Sequence, residues 1–365
     1  MTIKSRRILA LTTASLATLS IAHIALAASA QRKGINDEAL APASKFDMSH
    51  WNITLPVDLD RDGKVDSKTV KQLRKYSHPD FYYLDDAGNV VFAAPNKGLT
   101  TKNTSNTRSE LRYMIRGTNT RIGTHDPRNN FAVLARKDSD KYGSVGGKME
   151  ATLKVDHVAI NAGNPDKKPA YSVVVGQIHG IKTDNNKGGF NYGNEPLKIY
   201  YKKFPGHATG SVFWNYELNL AKDDPKRRDI SYPVWGNGWD NPADPGAAGV
   251  ALGEEFSYTV NVHENIMYLT FTSAKHGTKK FTKSLVSQHG ADGQMLTDDN
   301  KYAYGGDSLY FKAGVYNQCS TSNQEGVWYA GCGGTGVWET DKANGDYAQA
   351  TFSRLVVGDS TPPVR

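Results

Sequence analysis

Cysteine is almost missing from this chain: among 365 residues only Cys319 and Cys332 occur. No CxxC pair and no His/Cys cluster is present, which excludes a zinc site of ordinary spacing. There is no Gly-x-Ser-x-Gly motif for a serine nucleophile, no internal repeat and no low-complexity tract. Beyond residue 30 no segment is apolar enough to cross a membrane. Charge of one sign is also scarce. The formal net charge is +7, and Lys4, Arg6 and Arg7 supply three of those charges. The remainder, near +4, suits a polyanionic partner without identifying one. The short basic run Lys226-Arg227-Arg228 reads as a solvated loop, and no nucleic-acid-binding motif accompanies it.

What is present begins with a leader. A basic start is followed by an apolar run over residues 8–28, which closes in small residues at Ala25-Leu26-Ala27 and Ala28-Ser29-Ala30. This pattern predicts a secretory signal peptide over residues 1–30 and a secreted or periplasmic protein. A membrane anchor is the weaker alternative, because Thr and Ser dilute the run. Export places the two cysteines in an oxidising compartment, so a Cys319–Cys332 disulfide is expected. Closing so short a loop stabilises by roughly 3 kcal/mol. Two free buried thiols are the alternative.

The polar, Ala-rich residues 31–44 read as a linker, and residues 45–360 as a single domain. Glycine is abundant at 35 residues, and short alternating runs are separated by Gly, Asn, Asp and Pro. That spacing predicts an all-β sandwich of antiparallel sheets. Met149, Ala151, Leu153 and Val155 share one strand face; Phe256, Tyr258, Val260 and Val262 share another. Met267, Leu269 and Phe271 make a third such set, and Leu197, Ile199 and Tyr201 a fourth. A last strand is expected over 348–357, a short helix over 67–76, and a long loop over 222–249.

Three segments carry unusual polar faces. In Arg108-Ser109-Glu110-Leu111-Arg112-Tyr113, period-two alternation puts Arg108, Glu110 and Arg112 opposite Leu111 and Tyr113. In Val173-Val174-Val175-Gly176-Gln177-Ile178-His179, Gln177 and His179 share a face, with Val174 and Ile178 expected on the other. In the segment 309–318, Tyr310, Lys312, Tyr316 and Gln318 oppose Leu309, Phe311, Ala313 and Val315. Residues two apart lie about 6.6–7 Å apart on one face, a spacing close to that of pyranose rings in a chain. An ordinary solvated sheet face is filled with Lys, Glu, Thr and Ser; Gln-x-His and Tyr-x-Lys-x-x-x-Tyr-x-Gln are not such fillings.

The chemistry follows from the residue types. Glycosidic hydrolysis needs two carboxylates across a cleft, and these faces offer only Glu110, beside arginines that hold it ionised. An imidazole with phenols, cations and amides suits a different reaction: abstraction of the proton beside a uronate carboxylate, followed by loss of the 4-linked sugar. Arg108 would neutralise that carboxylate by a bidentate contact. Gln177 would donate a hydrogen bond to the developing enolate-like charge. His179 is the candidate base, since an imidazole ordinarily titrates near 6.5. Tyr316 would protonate the departing O4, or as a phenolate remove the C5 proton itself. In guluronate the C5 hydrogen and O4 lie on opposite faces, so two groups are needed; in mannuronate Tyr316 alone would serve both.

The three segments resemble the signature blocks of polysaccharide lyase family 7, the alginate lyases: R-x-E-L-R, Q-[IV]-H and Y-x-K-A-G-x-Y-x-Q, in that order. Trp51-Asn52-Ile53-Thr54-Leu55-Pro56 resembles the opening strand of that family, so the likeness covers about residues 46–358. The resemblance implies a jelly-roll β-sandwich with an open concave cleft and an alginate substrate. It implies catalysis by Arg108, Gln177, His179 and Tyr316, with Glu110, Arg112, Tyr310, Lys312 and Gln318 shaping or binding in the cleft. Ile178 leans the expected substrate toward guluronate-containing blocks. The expected action is endo, on a monomer, with no cofactor required. Other readings are a lyase for another polyuronate such as glucuronan, or a non-catalytic carbohydrate-binding sandwich.

Two further features carry expectations. Asp58, Asp60, Asp62, Gly63 and Asp66 resemble the front of a calcium loop, with Thr69 where a bidentate Glu should stand. A structural calcium there competes with an acidic surface turn. Trp235 and Trp239 are candidate sugar-stacking platforms, although most aromatics of a sandwich are core.

Overall fold

A computed structural model describes residues 32–184, 186 and 188–363; the leader expected over 1–30 lies outside them. Two antiparallel sheets face each other. One has seven strands, and the other has ten, ordered around the central run Ser211–Glu217, Leu197–Lys202, Ser172–Gly180, Leu309–Asn317, Arg108–Tyr113 and Trp51–Thr54. The fold is the antiparallel sandwich that the alternation predicts, in the jelly-roll form that the family resemblance implies. Among the described residues no helix is long and apolar enough to cross a membrane.

The core lies where the alternating apolar faces meet. Leu111, Ile178, Ile199, Trp214, Phe311 and Val315 of the larger sheet pack with Met149, Leu153, Tyr258, Phe92 and Leu355 of the smaller one. The sheets approach closely at Gly176: a Cβ there would lie 2.6 Å from the Tyr258 hydroxyl, which donates to the Val175 carbonyl at 3.1 Å. Only glycine fits, so the strand carrying Gln177 and His179 is seated directly on the opposite sheet.

Several local expectations change. The alternation of the Ser172–Gly180 strand is interrupted: Val174 pairs with Tyr200 but Gly176 pairs with the very next residue of that neighbour, Ile199, a β-bulge. The extra residue flips the side-chain order. Val174 therefore joins Tyr200, Phe213 and Trp239 on the same side as Tyr316, while Val175 enters the core. The region 222–249 is not all loop. Asp229–Trp235 forms the edge strand of the larger sheet, where Pro233 is tolerated because an edge demands fewer ladder bonds. The helix expected over 67–76 shrinks to Val70–Leu73, because Ser67–Lys68 and Tyr76–Ser77 pair as strands on either side of it. The stretch read as a linker is docked: Ile35–Asn36 pairs with Tyr76–Ser77, Arg32 pairs with Asp80, and Ala41 and Pro42 are buried. Cys319 and Cys332 are disulfide-bonded, with Cα atoms 5.6 Å apart.

Candidate active site

Strand register brings the three polar faces together. Gln177 stands opposite Lys312, Lys312 opposite Arg112, and Arg112 opposite Asn52. In the other direction Gln177 faces Lys198, then Asn215, then Ser231. A parallel row runs Arg108, Tyr316, Val174, Tyr200 and Phe213. His179 stands opposite Tyr310. The register thus unites, on one sheet face, side chains more than two hundred residues apart in sequence.

Glu110 is the hub of this face. It is 3% exposed and receives Arg108 Nη1 at 3.0 Å, the Lys312 ammonium and the Gln177 amide. A buried carboxylate among such donors orders the groups around it. Gln177 Nε2 carries two hydrogens, of which Glu110 takes one. Neither Gln177 Oε1 nor Arg108 Nε has a protein partner, although both atoms are buried. Burial, with Arg108 adding to it, pushes the Lys312 ammonium down to about 8 against the pull of Glu110.

The Arg108 guanidinium lies over the Tyr316 ring, 4.0 Å from its centre. The Tyr316 hydroxyl is 3.0 Å from Thr104 Oγ1. Burial raises the Tyr316 phenol, and Arg108 offsets only part of that rise. The resting residue is therefore a phenol, not the phenolate considered from sequence.

His179 stacks on Tyr310 at 5.2 Å and 17°, and Arg112 caps Tyr310 with its guanidinium 4.0 Å from the ring centre. Arg112 is itself tied to the Thr124 carbonyl at 3.0 Å and to Asn130 Oδ1 at 3.1 Å. Gln318 lies beyond the strand end, buried, and its amide turns back to the Tyr316 carbonyl at 3.4 Å. It is the one predicted site residue whose side chain does not meet the others.

Some neighbours carry no signature in sequence. Glu195 Oε1 lies 3.1 Å from His179 Nε2, and Lys198 links Glu195 to Asp229 at 3.6 and 3.0 Å. Period-two reading of the Leu197–Lys202 strand would have exposed Lys198 and Tyr200 opposite Leu197 and Ile199; nothing local marks Glu195. Trp328, inside the loop closed by the disulfide, sits over Lys198 (5.4 Å) and Arg227 (5.9 Å) and packs on Trp239 at 5.9 Å. Trp239 is 3% exposed and Trp235 is 4% exposed in the core against Phe256 and Phe271. Neither is an open platform; Trp328, like Tyr310 and Tyr316, is a half-exposed aromatic of this face.

Carboxylate oxygens of Asp58, Asp60 and Asp66 come within 4.8 Å of one another. Asp58 accepts from the backbone N–H groups of Asp62 and Gly63, and Asp66 pairs with Lys68 at 3.0 Å. The turn satisfies its own acids and lies outside the polar face described above.

A family model described as alginate lyase matches residues 46–359. A Klebsiella pneumoniae protein described as alginate lyase is 38% identical over 324 residues, covering 86% of this chain and 90% of that protein. The crystal structure of the alginate lyase from Klebsiella pneumoniae gives a TM-score of 0.68 at 34% identity, over 88% of this chain and 99% of that one. The exolytic PL7 alginate lyase of Zobellia galactanivorans gives 0.70 at 35%, over 89% and 100%.

Proposed function

This chain belongs to the PL7 family of alginate lyases, and on that premise we propose that it cleaves alginate by β-elimination at the face built around Glu110. The observation that carries the reading is the convergence of Arg108, Gln177, His179 and Tyr316 on that face. The substrate is an acidic chain of 4-linked uronates. Its carboxylate docks on Arg108 and on the second hydrogen of the Gln177 amide, with Lys312 beside them. There the negative charge that grows as C5–H breaks meets donors already held in place by Glu110, at no reorganisation cost. His179 takes the C5 proton of a guluronate from one side. Tyr316, protonated at rest, gives its proton to O4 from the other. For mannuronate a Tyr316 phenolate would serve both steps, which requires it to lose its proton first. Guluronate-containing blocks are accordingly the preferred substrate.

We read the action as endo. The polar row from Ser231 to Asn52 crosses seven strands, roughly 29 Å at the usual strand spacing, and seats several sugars. Cleavage from a chain end is the second reading, favoured by one observation: Trp328, with Arg227 against its ring, stands over Lys198 and narrows the row on that side. The relative from Zobellia galactanivorans is exolytic. Early products decide. A rapid fall in viscosity with mixed oligomers supports internal cleavage; one small product at constant viscosity supports end-on cleavage.

The chemical test is the ultraviolet absorbance of the new C4–C5 double bond on polyguluronate, polymannuronate and glucuronan. Growth on polyguluronate first is expected. Growth on glucuronan alone would move the assignment to another polyuronate. Binding to all three without absorbance would leave a carbohydrate-binding module. Secretion, as a monomer, is part of the same proposal and is checked by finding the mature protein in cell-free medium or periplasm.

A further inference from the structure

His179 is pinned by two acceptors. Its Nδ1 lies 2.7 Å from the Gly180 carbonyl, which can only accept, so Nδ1 carries a proton. Its Nε2 lies 3.1 Å from Glu195 Oε1. Glu195 is half-buried in the loop that leads into the Leu197–Lys202 strand. Burial alone would raise its carboxyl, yet Lys198 and then His179 outweigh burial and hold it well below the usual carboxylate range. The Nε2 edge of the ring thus faces a carboxylate that only accepts.

Among the described residues two titratable groups are shown against this ring. The titratable groups against the His179 ring are Glu195 from the loop and Tyr310 from the neighbouring strand, whose far side is covered by Arg112. Glu195 is fixed in turn: its N–H donates to Glu217 Oε2 at 2.9 Å, and Lys198 Nζ is 3.6 Å from its carboxylate.

We propose that Glu195 is a positioning residue that holds the Nε2 edge of His179, and so sets how readily this chain cuts guluronate relative to mannuronate. The inference rests on the reading of His179 as the guluronate base. For guluronate, Nε2 must turn from Glu195 toward C5 with its lone pair free. It then takes the C5 proton; the C5–H electron pair becomes the C4–C5 double bond, the C4–O4 bond breaks, and O4 leaves with the Tyr316 proton. The mannuronate route runs through Tyr316 alone and does not depend on this release.

The test is the pH profile of kcat for the full chain and for E195Q, E195D and H179A, on polyguluronate and polymannuronate separately. E195Q should carry the acidic limb on polyguluronate about one pH unit lower, since a neighbouring opposite charge is worth that much or more. The limb on polymannuronate should stay in place, and E195D should restore the original profile. An unmoved limb, or an equal shift on both polymers, would overturn the proposal. Imidazole 15N resonances provide a readout without substrate: in E195Q the His179 ring should give up its second proton at lower pH, and an unchanged titration would refute the pairing. If H179A still cleaves polyguluronate, the base assignment fails, and the resonances still judge the Glu195 contact by itself.

Discussion

Glu110 and Glu195 flank one working surface, and the two are held differently. Glu110 is buried and shared among Arg108, Lys312 and Gln177; Glu195 is half-exposed and holds His179 and Lys198. The first carboxylate organises groups that stay charged or neutral throughout, and burial makes that organisation rigid. The second touches the one ring that must change its protonation, and it sits where water can reach. Charge that only binds belongs inside; charge that must titrate belongs at the rim.

The largest expected effect sharpens this division. Tyr316→Phe should lower kcat by on the order of 10²–10⁴ with an unchanged melting temperature, because the phenol belongs to neither carboxylate. Near-normal turnover would show that O4 finds its proton elsewhere. Next comes a stability contrast. Glu110→Ala leaves buried Lys312 and part-buried Arg108 without their carboxylate and should cost about 3–5 kcal/mol, whereas Glu195→Ala should cost well under half as much, because His179 is partly exposed and Lys198 keeps Asp229 as a partner. Equal shifts in denaturant midpoint would break the comparison.

A smaller effect is alkaline. Lys312 is pushed down to about 8 in the folded protein from an ordinary 10.5. Its charge is present below about pH 8 and lost above it, so KM should rise as pH passes that value. Stability runs the other way: between about 8 and 10.5 the unfolded chain binds the extra proton, so this group's contribution to stability increases with pH there. Lys312→Arg should remove the alkaline rise in KM. The smallest effect is a modest increase in KM with salt, since a cationic cleft attracts a polyanion less strongly when screened; a salt-independent KM would leave the cations without a binding role.

Much of the site was legible because a strand repeats every two residues. Arg108, Glu110 and Arg112 fall on one face, as do Tyr310, Lys312 and Tyr316, and the alternation requires it. Val174 departs from the alternation because one extra residue in a bulge reverses the order without altering composition. Trp235, a platform candidate by its loop-like surroundings, lies on an edge strand and completes the core. Glu195 and Trp328 left no trace, since each acts from a loop whose position depends on what it packs against.

The amino-acid order therefore determined which side chains share a strand face, and with that the alternating core, the polar blocks and the single cysteine pair. Only the tertiary structure decided which carboxylate meets which cation, because that depends on the register between strands distant in the chain and on where loops come to rest. Period two is a property of each strand alone; the meeting of Glu195 with His179 is a property of the whole sheet.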